Sequence, residues 1–429
     1  MPESFVTFRY MTRFQCIADR CEDTCCANWR VMVDAASLVR LERHMATPDA
    51  RRELAEKVIR RPDAPSAELK LDESGACTFL DAKSLCSVQT RYGEEALPTP
   101  CAVYPRHVNR VGDRLELAGA LSCPEIARLA LGAADAMDLI DFAPEVLSRD
   151  HRAKVLTPSP SDGYSLFFDD VRSTLLRILA ADAYPLSTRL AMVAHIADLI
   201  GPYFHKGSTA FVGAAAGGYH QKLAAELSSI GQPALWREVH SQFSEHAASG
   251  IPVGQFIASM FASRLQLPHT ARFRALVESA FATYRDGGTG VELPDATVLW
   301  SRYRDRVQKL EARFPVEIER SFCHYAIQFW MREWYLESDN LLLHLRTLLI
   351  RLGALKFLLV GHPRVNALLE GSGAPSESER ERMNAIVVEV FQTFVRGVEH
   401  EVEFLKIVNQ AQDAGRDPFT RALLLLKFL

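Results

Sequence analysis

Hydrophobic positions divide the chain into two parts of different character. Beyond residue 164, apolar side chains recur at steps of three and four residues, as a buried helix face requires. This spacing predicts helices over residues 164–178, 187–201, 317–336 and 341–352. Few stretches alternate between apolar and polar residues as strands do, and no convincing internal repeat is visible. The second part of the chain is therefore predicted to be an α-helical domain.

Capping residues mark several helix boundaries. Ser187 stands where an N-cap is expected, and Gly201-Pro202 ends the same helix. The sequence Ser376-Glu-Ser-Glu379 is a capping box that opens a helix with apolar residues as far as Leu405. In the first part of the chain, Asp34 is suited to cap a helix near residues 36–45.

A segment rich in proline and glycine separates the two parts. Residues 157–163 read Thr-Pro-Ser-Pro-Ser-Asp-Gly, which is a strong break in regular structure. We place one domain at 1–156 and the other at 164–429. The first has frequent turn residues and is expected to combine irregular loops with short helices. The predicted fold class is mainly α, with a cysteine-rich metal-binding domain followed by an α-helical domain.

Cysteine is confined almost entirely to the first part. The exception is Cys323, which is predicted to be a small buried thiol. The other eight are Cys16, Cys21, Cys25, Cys26, Cys77, Cys86, Cys101 and Cys123. This segregation implies a local task for sulfur, and the candidates are disulfides, metal ligation and catalysis.

The expected compartment separates these candidates. The N-terminus has no basic start followed by an apolar core, so no secretory signal is expected. No apolar stretch approaches the roughly 20 residues of a membrane-spanning helix. We therefore expect a soluble cytoplasmic protein without a membrane partner, in which clustered cysteines favour metal over disulfides. A net charge of −4 gives no indication of nucleic-acid binding.

The cysteine spacing leaves more than one kind of metal site open. Thiolates are soft ligands that suit zinc or iron–sulfur clusters. The chain has no paired Cys-x2-Cys knuckle, and the adjacent Cys25 and Cys26 cannot easily both reach one ion. Eight cysteines can fill two four-ligand sites, or one site with several unligated thiols. A cubane cluster needs only one cysteine for each iron, which favours iron–sulfur over zinc.

Several blocks of the first part resemble the flagellin lysine N-methylase family of the FliB type. The blocks are Cys-Glu-Asp-Thr-Cys-Cys-Ala-Asn-Trp at 21–29, Cys-Thr-Phe-Leu-Asp at 77–81, Leu-Cys-Ser-Val-Gln at 85–89, Cys-Ala-Val-Tyr-Pro-Arg at 101–106 and Leu-Ser-Cys-Pro-Glu at 121–125. The resemblance is dense over residues 8–131 and weak beyond them. The same portion is similar to a broader group of zinc- or iron-chelating domains. That group shares the other six cysteines, so Cys16 and Cys123 rank below them as candidate metal ligands.

The resemblance implies an activity, a partner and two cofactors. The family methylates lysine ε-amines of flagellin, with S-adenosylmethionine as methyl donor. Its members resemble iron–sulfur proteins, and the expected cluster is [4Fe–4S], with zinc as the alternative. All eight cysteines match family positions, but the resemblance does not select the four ligands. The sequence does not indicate an oligomeric state.

Four further residues near the cysteines are candidates for function. Trp29 is expected to pack over the metal site, with stacking on a cofactor as the alternative. Arg106 is suited to bind a carboxylate, including that of the methyl donor, or to form a structural ion pair with Glu125. Tyr104 and His107 are candidates for the base that removes the proton of the lysine ammonium.

Two familiar methyltransferase motifs are absent from the sequence. The glycine-rich residues 212–218 follow no clear strand, unlike the loop of a Rossmann-type donor site. The Cys-x3-Cys-x2-Cys pattern of radical enzymes is also missing, because Cys26 directly follows Cys25. The alternatives to a methylase are a non-catalytic zinc- or iron-binding or metal-delivery protein and an iron–sulfur redox module.

Overall fold

The computed structural model describes residues 4–27, 29–60, 66–141, 149, 153–246, 249–285, 295–371, 373–401, 404–405, 407–408 and 417–429. The chain divides into two compact units. The cysteine-rich unit comprises Met1–Ala130 and Asp138–Val155, and the helical unit comprises Leu131–Met137 and Leu156–Leu429. Most of the described residues outside the first unit are helical, which confirms the prediction of a mainly α fold.

Short helices and strands alternate in the cysteine-rich unit. Its helices are α1 (Arg9–Thr12), α2 (Ala35–His44), α3 (Pro48–Lys57), α4 (Ser87–Tyr92), α5 (Thr99–Val103) and α6 (Pro124–Gly132). Its strands are β1 (Ser4–Phe8), β2 (Met32–Val33), β3 (Val58–Arg60), β4 (Ala67–Leu69), β5 (Arg106–Val111), β6 (Arg114–Gly119), β7 (Leu139–Asp141) and β8 (Lys154–Leu156). They form a five-stranded sheet in the order β7-β1-β6-β5-β8 and a three-stranded sheet in the order β2-β4-β3.

The larger sheet of the cysteine-rich unit was not predicted. Its central hairpin pairs β5 with β6 in antiparallel register, from Arg106 opposite Gly119 to Val111 opposite Arg114. Strand β6 is buried on both faces, so its exposure does not alternate. Gly112-Asp113 is a two-residue connection typical of hairpins, with a Gly112 φ of 57°. That turn was the available signal for the sheet.

The helical unit contains the remaining helices. They are α7 (Gly163–Leu166), α8 (Phe168–Ala180), α9 (Leu186–Ile200), α10 (Ala216–Ser228), α11 (Pro233–Glu245), α12 (Ile251–Arg264), α13 (Ala271–Tyr284), α14 (Ala296–Arg313), α15 (Pro315–Arg332), α16 (Leu341–Val360), α17 (Pro363–Leu369), α18 (Glu377–Phe394) and α19 (Pro418–Phe428). Helix α16 buries almost every side chain and packs against α9, α13, α18 and α19. It therefore forms the centre of this unit's apolar core.

Local capping was predicted correctly at two helices and wrongly at one. Asp34 Oδ1 accepts a hydrogen bond from Ser37 N at 2.8 Å, and the capping box at Ser376 is formed as predicted. Ser187, by contrast, lies inside α9, whose N-cap is Pro185. The amide of Leu186 instead donates to Glu319 Oε1 on another helix, at 2.7 Å. A long-range carboxylate thus replaces the local cap.

Helix bounds also differ from the predicted ones. The segment predicted over 164–178 breaks at Phe167 into α7 and α8. The helix predicted to end at 352 continues to Val360, and Gly361 follows it as C-cap. In the described residues, no helix combines the length and the apolar character needed to cross a membrane.

Candidate metal centre

Five of the eight clustered cysteines line one cavity in the cysteine-rich unit. The cavity has a volume of about 60 Å³. The five are Cys25, Cys26, Cys77, Cys86 and Cys101. Leu41, Leu69, Phe79, Val88 and Leu97 form most of its apolar wall. The tertiary structure therefore gathers thiols from three separate segments of the chain around one apolar space.

Backbone hydrogen bonds join the segments that carry these thiols. Cys77 N donates to Cys26 O at 2.7 Å, next to a bridge between Ala27 and Ala76. A second bridge joins Leu80 to Cys86. These bonds fix the main chain on which Cys26, Cys77 and Cys86 stand.

Two of the cysteines follow loops of the same construction. Leu71-Asp-Glu-Ser-Gly-Ala-Cys77 and Leu80-Asp-Ala-Lys-Ser-Leu-Cys86 share a Leu-Asp-x4-Cys pattern nine residues apart. Asp72 Oδ1 accepts from the amides two and four residues later at 2.8 and 3.0 Å, and Asp81 Oδ1 does so at 2.8 and 2.9 Å. The prediction of no internal repeat is therefore wrong at this short scale.

Amides also approach the sulfurs of this site. Cys86 is the N-cap of α4, and burial raises the pKa of its thiol while hydrogen bonds from the Gln89 and Val88 amides lower it. Burial likewise raises the pKa of Cys77, and the amide of Phe79 opposes that shift. Helix-start amides stabilise a thiolate over a thiol. These two sulfurs are thus surrounded by donors that suit a metal-bound thiolate.

The five thiols influence one another electrostatically. Burial is the main cause of the raised pKa of Cys101, and the charges of Cys86, Cys77 and Cys25 add to it. A hydrogen bond with Cys25 is the main cause of the raised pKa of Cys26, followed by burial. Five mutually repelling thiolates in an apolar cavity would be costly, so metal binding there must displace protons and neutralise charge.

The donor set is compatible with a single ion and with a cluster. The Sγ atoms of Cys25 and Cys26 are 3.9 Å apart, close to the roughly 3.8 Å that tetrahedral zinc with bonds of about 2.3 Å requires. The adjacency of these two residues is therefore no obstacle to shared ligation. Yet in the described parts of the chain, no three His, Cys, Asp or Glu side chains form an arrangement for one ion. A cubane cluster, which takes one cysteine per iron, tolerates wider spacing.

The other three cysteines form a separate group. Burial raises the pKa of Cys123 to about 12, and the charges of Cys21 and Cys16 contribute to the same shift. Cys16 also raises the pKa of Cys21, after burial and two acidic neighbours. None of the three lines the cavity. The structure thus separates Cys21 from the five cysteines with which the resemblance ranked it.

Trp29 and Tyr104 lie at the cavity, and the packing of Trp29 over a bound metal stays a prediction. Their ring centroids are 5.8 Å apart, and both side chains line the space. Trp29 Nε1 donates to Cys25 O at 2.6 Å, and the Tyr104 hydroxyl shares a 3.1 Å hydrogen bond with Ser122. The two aromatic rings therefore form part of the cavity wall beside the cysteines.

Arg106 and His107 are placed differently from Tyr104. Both belong to β5, and neither lines the cavity. The Arg106 guanidinium lies 5.3 Å from the centroid of the Phe14 ring. Glu125, the predicted structural partner of Arg106, forms an ion pair with Arg128. Of Tyr104, Arg106 and His107, only Tyr104 therefore lines the cavity of the five cysteines.

Gln89 is a lining residue that the sequence reasoning missed. It stands on α4, three residues after Cys86, and is exposed at the cavity wall. The signal was its position one helical turn beyond a cysteine that caps the same helix.

The helical unit carries the comparison that identifies the family. The family of the FliB lysine N-methylase C-terminal domain matches residues 172–425, which is more than half of the chain. The chain belongs to the FliB lysine N-methylase family. The match covers the part in which the sequence resemblance was weak, and it contains none of the eight clustered cysteines.

Individual relatives are similar over a shorter stretch. The flagellar biosynthetic protein FliU of Salmonella muenchen is 30% identical over 135 residues, which cover 30% of this chain and 78% of that protein. The lysine-N-methylases of Salmonella typhimurium and Salmonella choleraesuis are also 30% identical over 135 residues, with 30% of this chain and 33% of each relative covered. The chain thus matches about a third of the length of these two enzymes. No solved structure matches the chain.

Proposed function

We propose that this protein is an S-adenosylmethionine-dependent protein-lysine N-methylase of the flagellar system, with flagellin as its substrate. The match of residues 172–425 to the FliB lysine N-methylase C-terminal domain carries the proposal. The names of the relatives, two lysine-N-methylases and one flagellar biosynthetic protein, support the reaction and the flagellar setting. The protein acts as a soluble cytoplasmic enzyme in this proposal.

The cysteine cavity is the proposed site of an iron–sulfur cluster of the [4Fe–4S] type. Four of its five cysteines would be ligands, while Trp29 and Tyr104 form part of the cavity wall. A bound cluster would supply a redox-active, Lewis-acidic centre. Cys16, Cys21 and Cys123 form a second group in the structure, so they are not assigned to this cluster.

The reaction requires a deprotonated lysine. The Nζ lone pair attacks the methyl carbon of the sulfonium, a C–N bond forms, and the S–CH3 bond breaks to leave S-adenosylhomocysteine. The ammonium must first lose a proton to a nearby base. We assign this task to the phenolate form of Tyr104, whose oxygen would take the ammonium proton, because Tyr104 lines the cavity while Arg106 and His107 do not. The role of His107 as a base stays a prediction. The same holds for Arg106 and Trp29 as residues that bind the methyl donor.

The test combines metal analysis with transfer of label. The full chain is purified without oxygen, analysed for iron, sulfide and zinc, and incubated with flagellin and methyl-labelled S-adenosylmethionine. About four iron and four sulfide per chain, with label on flagellin lysines, is the expected result. Zinc in place of iron, without transfer of label, would favour the metal-binding or metal-delivery alternative. A reversible redox couple without transfer would favour the redox module.

Two matched cysteine substitutions sharpen this test. Cys101→Ser removes a cavity thiol and should lower the iron content and the yield of folded protein; Cys25→Ser should do the same. Cys323→Ser should change neither, because Cys323 is buried in the helical unit beside Arg189 and Leu179. Unchanged iron in the Cys25 and Cys101 variants would refute the assignment of the cavity thiols as ligands.

A further inference from the structure

The two Leu-Asp-x4-Cys loops agree in more than their side-chain bonds. Asp72 N donates to Ala76 O at 2.8 Å, and Asp81 N donates to Leu85 O at 2.9 Å. In both loops the amide three residues after the aspartate donates back to the aspartate carbonyl at 3.0 Å. The residue that donates has a positive φ in each case, 83° at Gly75 and 59° at Ser84. The two loops are therefore copies of one backbone conformation.

The loops also deliver their cysteines in the same way. A bridge closes each loop, between Leu71 and Cys77 in one and between Leu80 and Cys86 in the other. The amide two residues after each cysteine approaches its sulfur. Both sulfurs then line the same cavity. Two cysteines that are held in the same way at one cavity are well placed to act as a pair of ligands to one metal group.

We propose that Cys77 and Cys86 are the paired ligands of the metal group in this cavity, and that Asp72 and Asp81 are their positioning residues. The assignment deepens the proposed cluster, since it selects two of the four ligands from the five candidates. Each aspartate carboxylate holds two amides of its loop, so the cysteine is fixed before the metal binds. Neither aspartate needs to touch the metal.

The test compares alanine with asparagine at each aspartate. Asp72→Ala and Asp81→Ala should each lower bound metal by about half or more, because the loop no longer closes around the carboxylate. Asp72→Asn and Asp81→Asn should retain most of it, since an asparagine oxygen accepts the same amides. Asp49→Ala, at an exposed aspartate of α3 paired with Arg52, is the control and should keep the full content.

The readouts are total metal per chain and the visible absorption spectrum of the full-length protein, with far-UV circular dichroism to confirm folding. Full metal in both alanine variants would overturn the positioning role. Retention of metal by Cys77→Ser or Cys86→Ser would overturn the ligand pair. Zinc in place of iron would refute the proposed cluster, but the same variants would still test this assignment on the zinc content.

Discussion

The two units stabilise themselves by different means. In the helical unit, α15 and α16 are 18 and 20 residues long and bury most of their side chains. In the cysteine-rich unit, β2, β3 and β4 have only two or three residues each. Its core contains Cys77, with Cys26, Cys86 and Cys101 packed against it. Thiols thus occupy positions that aliphatic side chains fill in the helical unit.

Because of this difference, we expect the stability of the two units to depend differently on bound metal. Short strands around a small core gain little from hydrophobic burial alone, so the proposed metal coordination would supply part of the stability. Long helices with a continuous apolar face need no such cross-link. We therefore expect the cysteine-rich unit to require its metal and the helical unit to be indifferent to it.

Metal removal should give the largest effect. Structural metal sites contribute on the order of 10 kcal/mol, so chelation should unfold the cysteine-rich unit. Limited proteolysis with mass spectrometry should then find new cleavage sites before residue 156, while the helical unit stays resistant. Equal resistance of both units after chelation would contradict the comparison.

Truncation of a core side chain in the helical unit should destabilise that unit and leave the cysteine-rich unit unaffected. Leu355 on α16 is fully buried, and Leu355→Ala should cost the helical unit about 2–5 kcal/mol because it leaves a cavity. Denaturant unfolding followed by far-UV circular dichroism measures this loss. The metal content should not change. Leu267→Ala, at a leucine that is 41% exposed, is the control and should cost less than about 0.5 kcal/mol.

The helical unit should also lose stability in mild acid through His362. Burial, with the nearby Arg364 charge, lowers the pKa of this histidine from 6.5 to about 4. The folded state therefore binds the proton more weakly than the unfolded chain. The contribution of neutral His362 to the free energy of unfolding is therefore complete above pH 6.5, and it is lost as the pH falls towards 4.

The size of this loss is about 2 kcal/mol after allowance for solvent screening. Unfolding free energies measured between pH 7 and pH 4 give it directly. His362→Asn keeps a cap acceptor for the Arg364 amide and should flatten this part of the profile. An unchanged profile would exclude His362 as its cause.

Removal of a helix cap should give the smallest loss of stability. The loss should be similar in the two units. Asp34→Ala removes the cap of α2, and Ser376→Ala removes the capping box of α18. Each should cost its own unit about 1 kcal/mol, since a cap satisfies amides of one helix turn only. Thermal unfolding of the metal-loaded protein measures both losses. A much larger loss for Asp34→Ala would show that α2 also supports the metal cavity.

Prediction from sequence succeeded where the interactions are local. Helix periodicity and the caps at Asp34 and Ser376 involve residues within a few positions of one another. It failed at Ser187, where Glu319 from another helix takes the place of the cap. It also missed the change to a π turn at Val395–Glu399. There Arg264 Nε donates to Gly397 O at 2.7 Å, a bond that joins distant parts of the chain.

The same division holds for the candidate site. The sequence determined that eight thiols lie in the first part, that Trp29 follows the adjacent pair, and that the chain resembles lysine N-methylases. Only the tertiary structure decided that five of the thiols share a cavity and that Cys16, Cys21 and Cys123 do not line it. Spacing along the chain fixes which residues are available. Closure of loops between Cys26, Cys77 and Cys101 depends on contacts across dozens of residues, and short-range patterns do not encode those contacts.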